Sequence, residues 1–180
     1  DIPVTEVTLA DQTSAMSVGG SPADCIALAA LGMVDWPPDV IVSGINRGPN
    51  MGQDITYSGT VTAALEAAIQ GVPAVAVSLA AGTARSVEEY EEAARVAVRV
   101  TLGVLAKGLP PLTILNLNVP FLSPVKGIRL TRQGLRIYQD ELAVEGSNYR
   151  IVGPEPGGQF EEEGTDIWAV HNGYASVTPI

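Results

Sequence analysis

Short apolar runs rich in β-branched residues alternate with helix-like segments over the first two thirds of the chain. This alternation limits the possible fold more than any other feature. Three such runs occupy residues 39–45, 73–79 and 112–119. Runs of this length and character are typical of strands buried on both faces of a parallel sheet. The sequence therefore predicts a parallel sheet that contains these three segments.

Three helix candidates lie before and between the apolar runs. The first begins at Ser21, where Ser, Pro and Asp in the first turn resemble a capping signal. The second begins near Ser58 and ends at Gly71, and the third begins at Ser86, with Glu89 at the capping-box position. Helices that alternate with parallel strands predict a doubly wound, mostly parallel α/β fold.

The pattern changes in the last third of the chain. Residues 125–152 contain short alternating segments separated by Gly and Pro, which predict a hairpin-like extension. Residues 154–164 predict a mobile acidic loop, and strand-like patterning returns over 166–178. The prediction is a single domain over 1–180, with a hairpin and loop extension at 121–164 within it.

Composition and charge exclude several classes of protein. The 180 residues are 46% hydrophobic, which excludes a disordered chain, and a single Cys excludes a disulfide scaffold. Twenty acidic against 10 basic residues give a net charge of −10, which argues against binding to a nucleic-acid polymer. No apolar run approaches the ~20 residues that span a bilayer, and no secretion signal opens the chain. We expect a cytoplasmic protein without a membrane partner.

The most unusual segment follows the first apolar run and reads SGINRGPNMGQDITYSGT over residues 43–60. Its glycines allow the backbone to approach a ligand closely. It leads into a helix N-terminus at Ser58, Gly59 and Thr60, where free N–H groups and the helix dipole favour an anion. The segment is neither a Walker P-loop nor a dinucleotide-binding fingerprint. Its spacing fits either a phosphate-binding loop or a long loop whose glycines only form turns.

The same run, extended to SGINRGPNMGQDITYSGTVTAALEAA, closely resembles the signature of the SurE family of stationary-phase survival proteins. Further blocks resemble the family in the same order along the chain: GSPADCI (20–26), LNLNVP (115–120), RLTRQG (129–134) and TDIWAVHNGYASVTPI (165–180). The resemblance covers essentially the whole chain. It implies a metal-dependent phosphomonoesterase that acts on nucleoside 5′- or 3′-monophosphates and, in some members, on short polyphosphate.

The resemblance also implies roles for individual residues. Asn46 matches a metal ligand, and its neutral amide oxygen suits one Mg²⁺ or Mn²⁺ ion per subunit. Ser58, Gly59 and Thr60 match phosphate-contacting residues, and Asn50 is a further candidate for that contact. On local grounds alone, Asn46 also fits a turn residue, while Ser58 and Thr60 fit a helix cap. Capping and anion binding use the same end of the helix, so both can hold.

One part of the family pattern is absent. The resemblance implies an opening strand with an N-D-D-G motif, whose adjacent aspartates bind the metal, and a Ser in the following loop. This chain contains no Asp-Asp pair, so its catalytic residues stay unknown. We expect the gene product to be longer and to be a nucleotidase. We expect these 180 residues alone to be inactive, since one amide cannot hold the metal that activates water. A phosphate- or nucleotide-binding module without turnover is the competing prediction.

The resemblance implies two kinds of partner, a nucleoside monophosphate and further copies of the chain. The extension and the tail at 165–180 resemble parts that the family uses for contacts in homodimers or homotetramers. Three other residues carry open alternatives. Asp54 either orients Asn46 or a water, or is a solvated loop acid. Arg132 either faces the substrate or forms an internal salt bridge, and His171, the only histidine, is expected at a surface or turn.

Overall fold

The computed structural model describes residues 1–154 and 156–180. The elements follow the chain in this order: β1 (Val4–Thr8), β2 (Ser14–Val18), α1 (Pro22–Leu28), β3 (Ile41–Arg47), α2 (Gly59–Ile69), β4 (Ala74–Ala80), α3 (Glu91–Lys107), β5 (Ile114–Pro120), β6 (Ile128–Leu130), β7 (Arg136–Ile137), β8 (Glu141–Glu145), β9 (Asn148–Val152), β10 (Gly157–Gly158), α4 (Asp166–His171) and β11 (Ala175–Pro179). Short helical turns at Ala29–Met33, Gly52–Tyr57 and Glu88–Tyr90 join some of them.

A five-stranded sheet in the order β3-β4-β5-β11-β6 forms the centre of the molecule. The three predicted strands are confirmed: β3, β4 and β5 lie side by side and parallel. β11 then pairs antiparallel with β5, and β6 pairs parallel with β11. Helices cover both faces of this sheet. The expected doubly wound, mostly parallel α/β fold is therefore confirmed for its central part.

Alternation along β4 explains how the two faces are covered. Ala74 and Ala76 point toward α2 and form a fully buried cluster with small and apolar residues of that helix. Val75 and Val77 point to the other face, where they pack in the cluster that includes residues of α3. Successive side chains in a strand point to opposite faces. Because β4 is apolar on both sides, it is buried almost throughout.

Helices α1 and α2 follow the predicted boundaries, whereas α3 begins five residues after the predicted Ser86. The Ser21 side chain accepts from the N–H of Asp24, whose carboxylate accepts from the N–H of Ser21 in return, so α1 begins with a complete capping box. The Glu89 carboxylate accepts from the N–H of Ser86, although α3 itself begins only at Glu91, after a short turn. Gly71 follows the end of α2 with φ of 82°.

Two sequence-based predictions need correction. Residues 166–178 are not all strand: the segment begins with α4 and only then enters β11, because Thr165 accepts from the N–H of Trp168 and caps a helical turn. The extension at 121–164 is divided. β6 joins the central sheet, and only β8 and β9 form a separate hairpin.

The acidic segment 154–164 also contains paired strand. Gly157–Gly158 form β10, which pairs with β7, while Glu155 within the same segment lies outside the described residues. At the other end of the chain, β1 and β2 form an antiparallel hairpin. Among the described residues, no helix is both long and apolar enough to cross a bilayer.

Candidate phosphate-binding site at the carboxyl edge of the sheet

A bulge in β3 sets the direction in which the side chain of Asn46 points. The register of β3 against β4 shifts between Ser43 and Asn46, so that Asn46 pairs with Ser78. Gly44, inside the bulge, has φ of 122°, and a Cβ there would collide with the carbonyl oxygen of Val77. Only glycine adopts this backbone without strain. Since Ser78 lies on the α2 face of β4, Asn46 also faces α2, the face that carries the helix N-terminus.

Only one of the two polar atoms of the Asn46 side-chain amide has a hydrogen-bond partner among the described residues. Its Nδ2 donates to the carbonyl of Gly48 at 2.9 Å, which orients the group. Its Oδ1 accepts no hydrogen bond from the described residues. The side chain therefore takes part in the turn, and its role as a metal ligand stays a prediction.

Asn50 anchors the glycine-rich loop onto the sheet. Its N–H donates to Oδ1 of Asn118 at 2.8 Å, and its carbonyl accepts from Nδ2 of both Asn116 and Asn118. Its own Nδ2 donates to Oγ of Ser78 at 2.7 Å. All four residues are buried. The protein thus already engages the side chain of Asn50, and its contact with phosphate stays a prediction.

The N-terminus of α2 has the geometry of an anion site. Ser58 is the cap: its Oγ accepts from the N–H of Val61 at 3.1 Å, and its own N–H donates to the carbonyl of Ile55. The N–H groups of Gly59 and Thr60 lie in the first turn, where no intrahelical acceptor exists. A Cβ on Gly59 would lie 2.9 Å from Cγ of Pro22, so the close approach of α1 and α2 requires glycine here.

Asp54 neither contacts Asn46 nor stands as a solvated loop acid. It accepts from the hydroxyl of Tyr138 at 2.6 Å, and its other carboxylate oxygen lies 3.4 Å from Nε of Arg136. Its side chain is only 18% exposed, so it is not a solvated loop acid, and none of its contacts is with Asn46. Burial, and then the hydrogen bond to Asp54, raise the pKa of Tyr138 above its usual value, so the phenol stays protonated as the donor.

Asp166 is the functional-site neighbour that sequence reasoning missed. Its side chain is buried, and its two oxygens accept from the N–H groups of Gly52 and Gly134, each at 2.8 Å. The carboxylate joins the glycine-rich loop to the loop after β6. An acid directly after Thr165 is typical of a helix start and was the available signal, but residues 166–178 were predicted as strand.

The two remaining candidates, Arg132 and His171, have their own contacts within the protein. Arg132 forms an ion pair with Glu162, which confirms the internal salt bridge among the two alternatives. His171 is exposed at the end of α4, and its ring centroid lies 4.6 Å from that of Phe160, in agreement with a surface or turn residue.

A divalent metal needs several oxygen ligands. Among the described residues, no group of His, Cys, Asp and Glu side chains could hold a metal ion. Asn46 contributes one neutral oxygen. These residues therefore do not by themselves fit a Mg²⁺ or Mn²⁺ centre, although they do fit a bound anion.

A parallel strand, a glycine-rich loop and a helix N-terminus at the carboxyl edge of the sheet define a doubly wound α/β domain, in which this edge is the candidate site for an anion. Comparison with known proteins gives the family. The profile described as "Survival protein SurE" matches residues 1–140. The chain belongs to the SurE family.

Relatives cover almost all of the chain. The "5'-nucleotidase SurE" of Chloroflexus aggregans is 46% identical over 183 residues, which cover 97% of this chain and 71% of the relative. That of Aquifex aeolicus is 44% identical over 170 residues, covering 91% and 66%. The crystal structure of the SurE protein from Aquifex aeolicus superposes with a TM-score of 0.80 at 41% identity, covering 99% of this chain and 73% of that one.

Proposed function

We propose that the protein is a 5′-nucleotidase, a hydrolase that releases phosphate from nucleoside monophosphates. The observation that carries the proposal is the N-terminus of α2, with free N–H groups on Gly59 and Thr60 beside an orientable Ser58 hydroxyl. This group faces the same side of the sheet as Asn46. The name of the relatives at 44 to 46% identity supports the same activity.

Each of these residues has a definite task in holding the substrate. The N–H groups of Gly59 and Thr60 donate to phosphate oxygens, and the helix dipole stabilises their negative charge. The Ser58 oxygen accepts from Val61, which leaves the hydroxyl proton free to donate to the same phosphate. Local dipoles of this kind hold an anion even in a chain with a net charge of −10.

Hydrolysis needs more than these residues. We propose that turnover depends on a divalent ion, Mg²⁺ or Mn²⁺, with Asn46 as one ligand, and that 3′-monophosphates and short polyphosphate are further substrates. A bound metal ion would supply charge neutralisation and an activated water. Because the described residues offer no cluster of His, Cys, Asp and Glu side chains for such a centre, we assign no hydrolytic step to them. The 180 residues by themselves bind phosphate without cutting its ester.

The test compares the chain with a chimera. The opening segment of the Aquifex aeolicus relative, which the family resemblance implies carries the adjacent aspartates, is joined to this chain. Phosphate release from AMP is then measured with and without Mn²⁺. We expect turnover only from the chimera, only with metal, and not after Asn46→Ala. Asn172→Ala is the matched control, because Asn172 lies at the far end of α4 and its amide donates to a helix carbonyl.

Two results would contradict the proposal in different ways. A folded chimera that binds inorganic phosphate but never releases it from AMP would favour the phosphate-binding module. Metal-dependent turnover by the unmodified 180 residues would show that these residues already contain the metal ligands that we assign to the opening segment.

We also propose self-association through the hairpin of β8 and β9. Its strands pair only with each other among the described strands, and an isolated two-stranded hairpin is marginally stable in water. One face of it carries four apolar side chains that are 54 to 75% exposed, namely Leu142, Val144, Tyr149 and Ile151. Packing against a second copy would bury this face. Analytical ultracentrifugation should show that the wild-type chain is an oligomer and that Ile151→Lys dissociates it. Asn148→Lys, on the opposite face of the hairpin, should leave the oligomer intact. A wild-type chain that is monomeric at all concentrations would refute the proposal.

A further inference from the structure

The turn Gly52–Tyr57, which leads directly into the capping Ser58, makes paired contacts with a distant part of the chain. Gln53 donates from Nε2 to the carbonyl of Arg136 at 2.7 Å, and its Oε1 accepts from the N–H of the same residue at 2.9 Å. The amide thus reproduces a two-bond backbone pairing with β7. Such a pair fixes both the position and the rotation of the turn.

A second attachment lies one residue further along. Asp54 accepts from the Tyr138 hydroxyl at 2.6 Å and lies 3.4 Å from Nε of Arg136. The side chains of Arg136 and Asp54 are only 14% and 18% exposed, so solvent screens this pair weakly. The buried carboxylate of Asp166 holds the start of the same turn through the N–H of Gly52.

These attachments matter for phosphate because the turn and the helix terminus are continuous. The N–H of Ser58 donates to the carbonyl of Ile55 within the turn, and the next two residues supply the free N–H groups. Movement of the turn therefore displaces the Ser58 hydroxyl and the N–H groups of Gly59 and Thr60 together. A site that is assembled only part of the time binds its ligand more weakly in proportion to that fraction.

We propose that Gln53 and Asp54 are positioning residues for the phosphate site, and that the segment 134–138 is the support against which they hold it. This proposal rests on phosphate binding at the N-terminus of α2. It assigns the extension after β6 a direct part in ligand affinity. Neither Gln53 nor Asp54 touches the phosphate.

The primary experiment is a titration of the 180-residue chain with inorganic phosphate, followed by amide NMR signals of Gly59 and Thr60. We expect Gln53→Ala to weaken binding by about threefold to tenfold, since it removes two neutral hydrogen bonds of modest net strength. Gln53→Glu keeps the acceptor for the N–H of Arg136 and should recover part of the loss. Gln70→Ala is the matched control: Gln70 lies at the other end of α2 and its amide donates to Glu66 on the surface.

A second readout needs no ligand. Hydrogen exchange of the Ser58 amide reports how often the turn opens, and we expect it to accelerate in Gln53→Ala, with a small fall in the midpoint of chemical unfolding because the folded state loses the same two hydrogen bonds. Tyr138→Phe removes only the hydroxyl that donates to Asp54, so we expect a smaller acceleration of Ser58 exchange. This variant replaces Gln53→Ala in the experiment if Gln53→Ala does not fold.

The outcomes separate the two proposals. Unchanged phosphate affinity and unchanged Ser58 exchange in Gln53→Ala would overturn the positioning role. If the wild-type chain binds no phosphate, the phosphate site is refuted, and its positioning by Gln53 is refuted with it, even where Ser58 exchanges faster in Gln53→Ala. Weaker phosphate binding together with faster exchange, and with normal behaviour of Gln70→Ala, supports both.

Discussion

Asn118 provides the sharpest test of how the glycine-rich loop is attached to the sheet. Its fully buried amide makes two hydrogen bonds to the backbone of Asn50, accepting from the N–H at 2.8 Å and donating to the carbonyl at 3.0 Å. Asn116, two residues earlier, makes only the second kind of bond, at 2.8 Å. Substitution of each by Ala therefore removes different parts of the same attachment.

The expected costs follow from which backbone groups lose their partners. In Asn118→Ala the carbonyl of Asn50 keeps Asn116, but its N–H is left buried and unpaired, which costs about 1–3 kcal/mol. The space left by the side chain adds about 1 kcal/mol. In Asn116→Ala a similar space is left, but the carbonyl keeps Asn118, and the change also removes an Oδ1 that has no partner among the described residues, which offsets part of the cost. We expect free energies of unfolding lower by about 2–4 kcal/mol for Asn118→Ala and about 1 kcal/mol for Asn116→Ala.

Equilibrium unfolding in guanidinium chloride, followed by circular dichroism, measures both changes. The slope with denaturant should stay constant, because the area exposed on unfolding hardly changes. The melting temperature of Asn118→Ala should fall by roughly 5–15 °C for a chain of this size. A loss for Asn118→Ala that is equal to or smaller than that for Asn116→Ala would refute the reasoning, because it would mean that the N–H of Asn50 needs no partner.

Three further predictions follow from single contacts. Ser58→Ala removes the cap of α2, so the unfolding free energy should drop by about 1 kcal/mol and calorimetric phosphate affinity should fall; unchanged affinity would argue against the site. Gly44→Ala places a Cβ against the carbonyl of Val77 at φ of 122° and should lower the melting temperature, whereas a neutral effect would contradict the bulge. The pKa of Glu92 lies below its ordinary 4.5, chiefly because Arg95 donates to it. The stabilisation by ionised Glu92 is therefore complete above pH 4.5 and is lost as acid protonates this carboxylate in the folded protein. As the pH is lowered, the melting temperature should fall less steeply for Glu92→Gln than for the wild type. Parallel curves would exclude this stabilisation.

Local signals predicted the central elements well. The runs at 73–79 and 112–119 became β4 and β5 almost residue for residue, because a strand buried on both faces must be apolar on both sides. The caps at Ser21 and Ser58 were also readable, since they depend on side chains only a few residues apart. Both kinds of signal lie within one segment of chain.

Short elements were less predictable. The segment at 166–178 contains a helix of only six residues before β11, too short for a helical period to stand out from strand alternation. The extension at 121–164 divides between the central sheet and a separate hairpin, and that choice depends on pairing with β11, far along the chain. Neither outcome could be decided from the neighbouring residues alone.

The candidate site shows the same division. Asn46, Ser58, Gly59 and Thr60 could be named from the sequence because the loop and the helix terminus that carry them are consecutive in the chain. What holds that loop in place could not be: Asn50 is bound 68 residues away by Asn118. The attachments of Asp54 to Tyr138 and of Gly52 to Asp166 span 84 and 114 residues.

The sequence by itself determined the three central parallel strands, the approximate positions of α1, α2 and α3, and the residues that can donate to an anion, since periodicity, capping and helix polarity are local properties. Only the tertiary structure decided that Asp54 faces Tyr138 and Arg136 rather than Asn46 or solvent, and that Asn50 is an anchor. The reason is physical. A buried polar group must find a partner, and the identity of that partner is settled by which segments the packed core brings together.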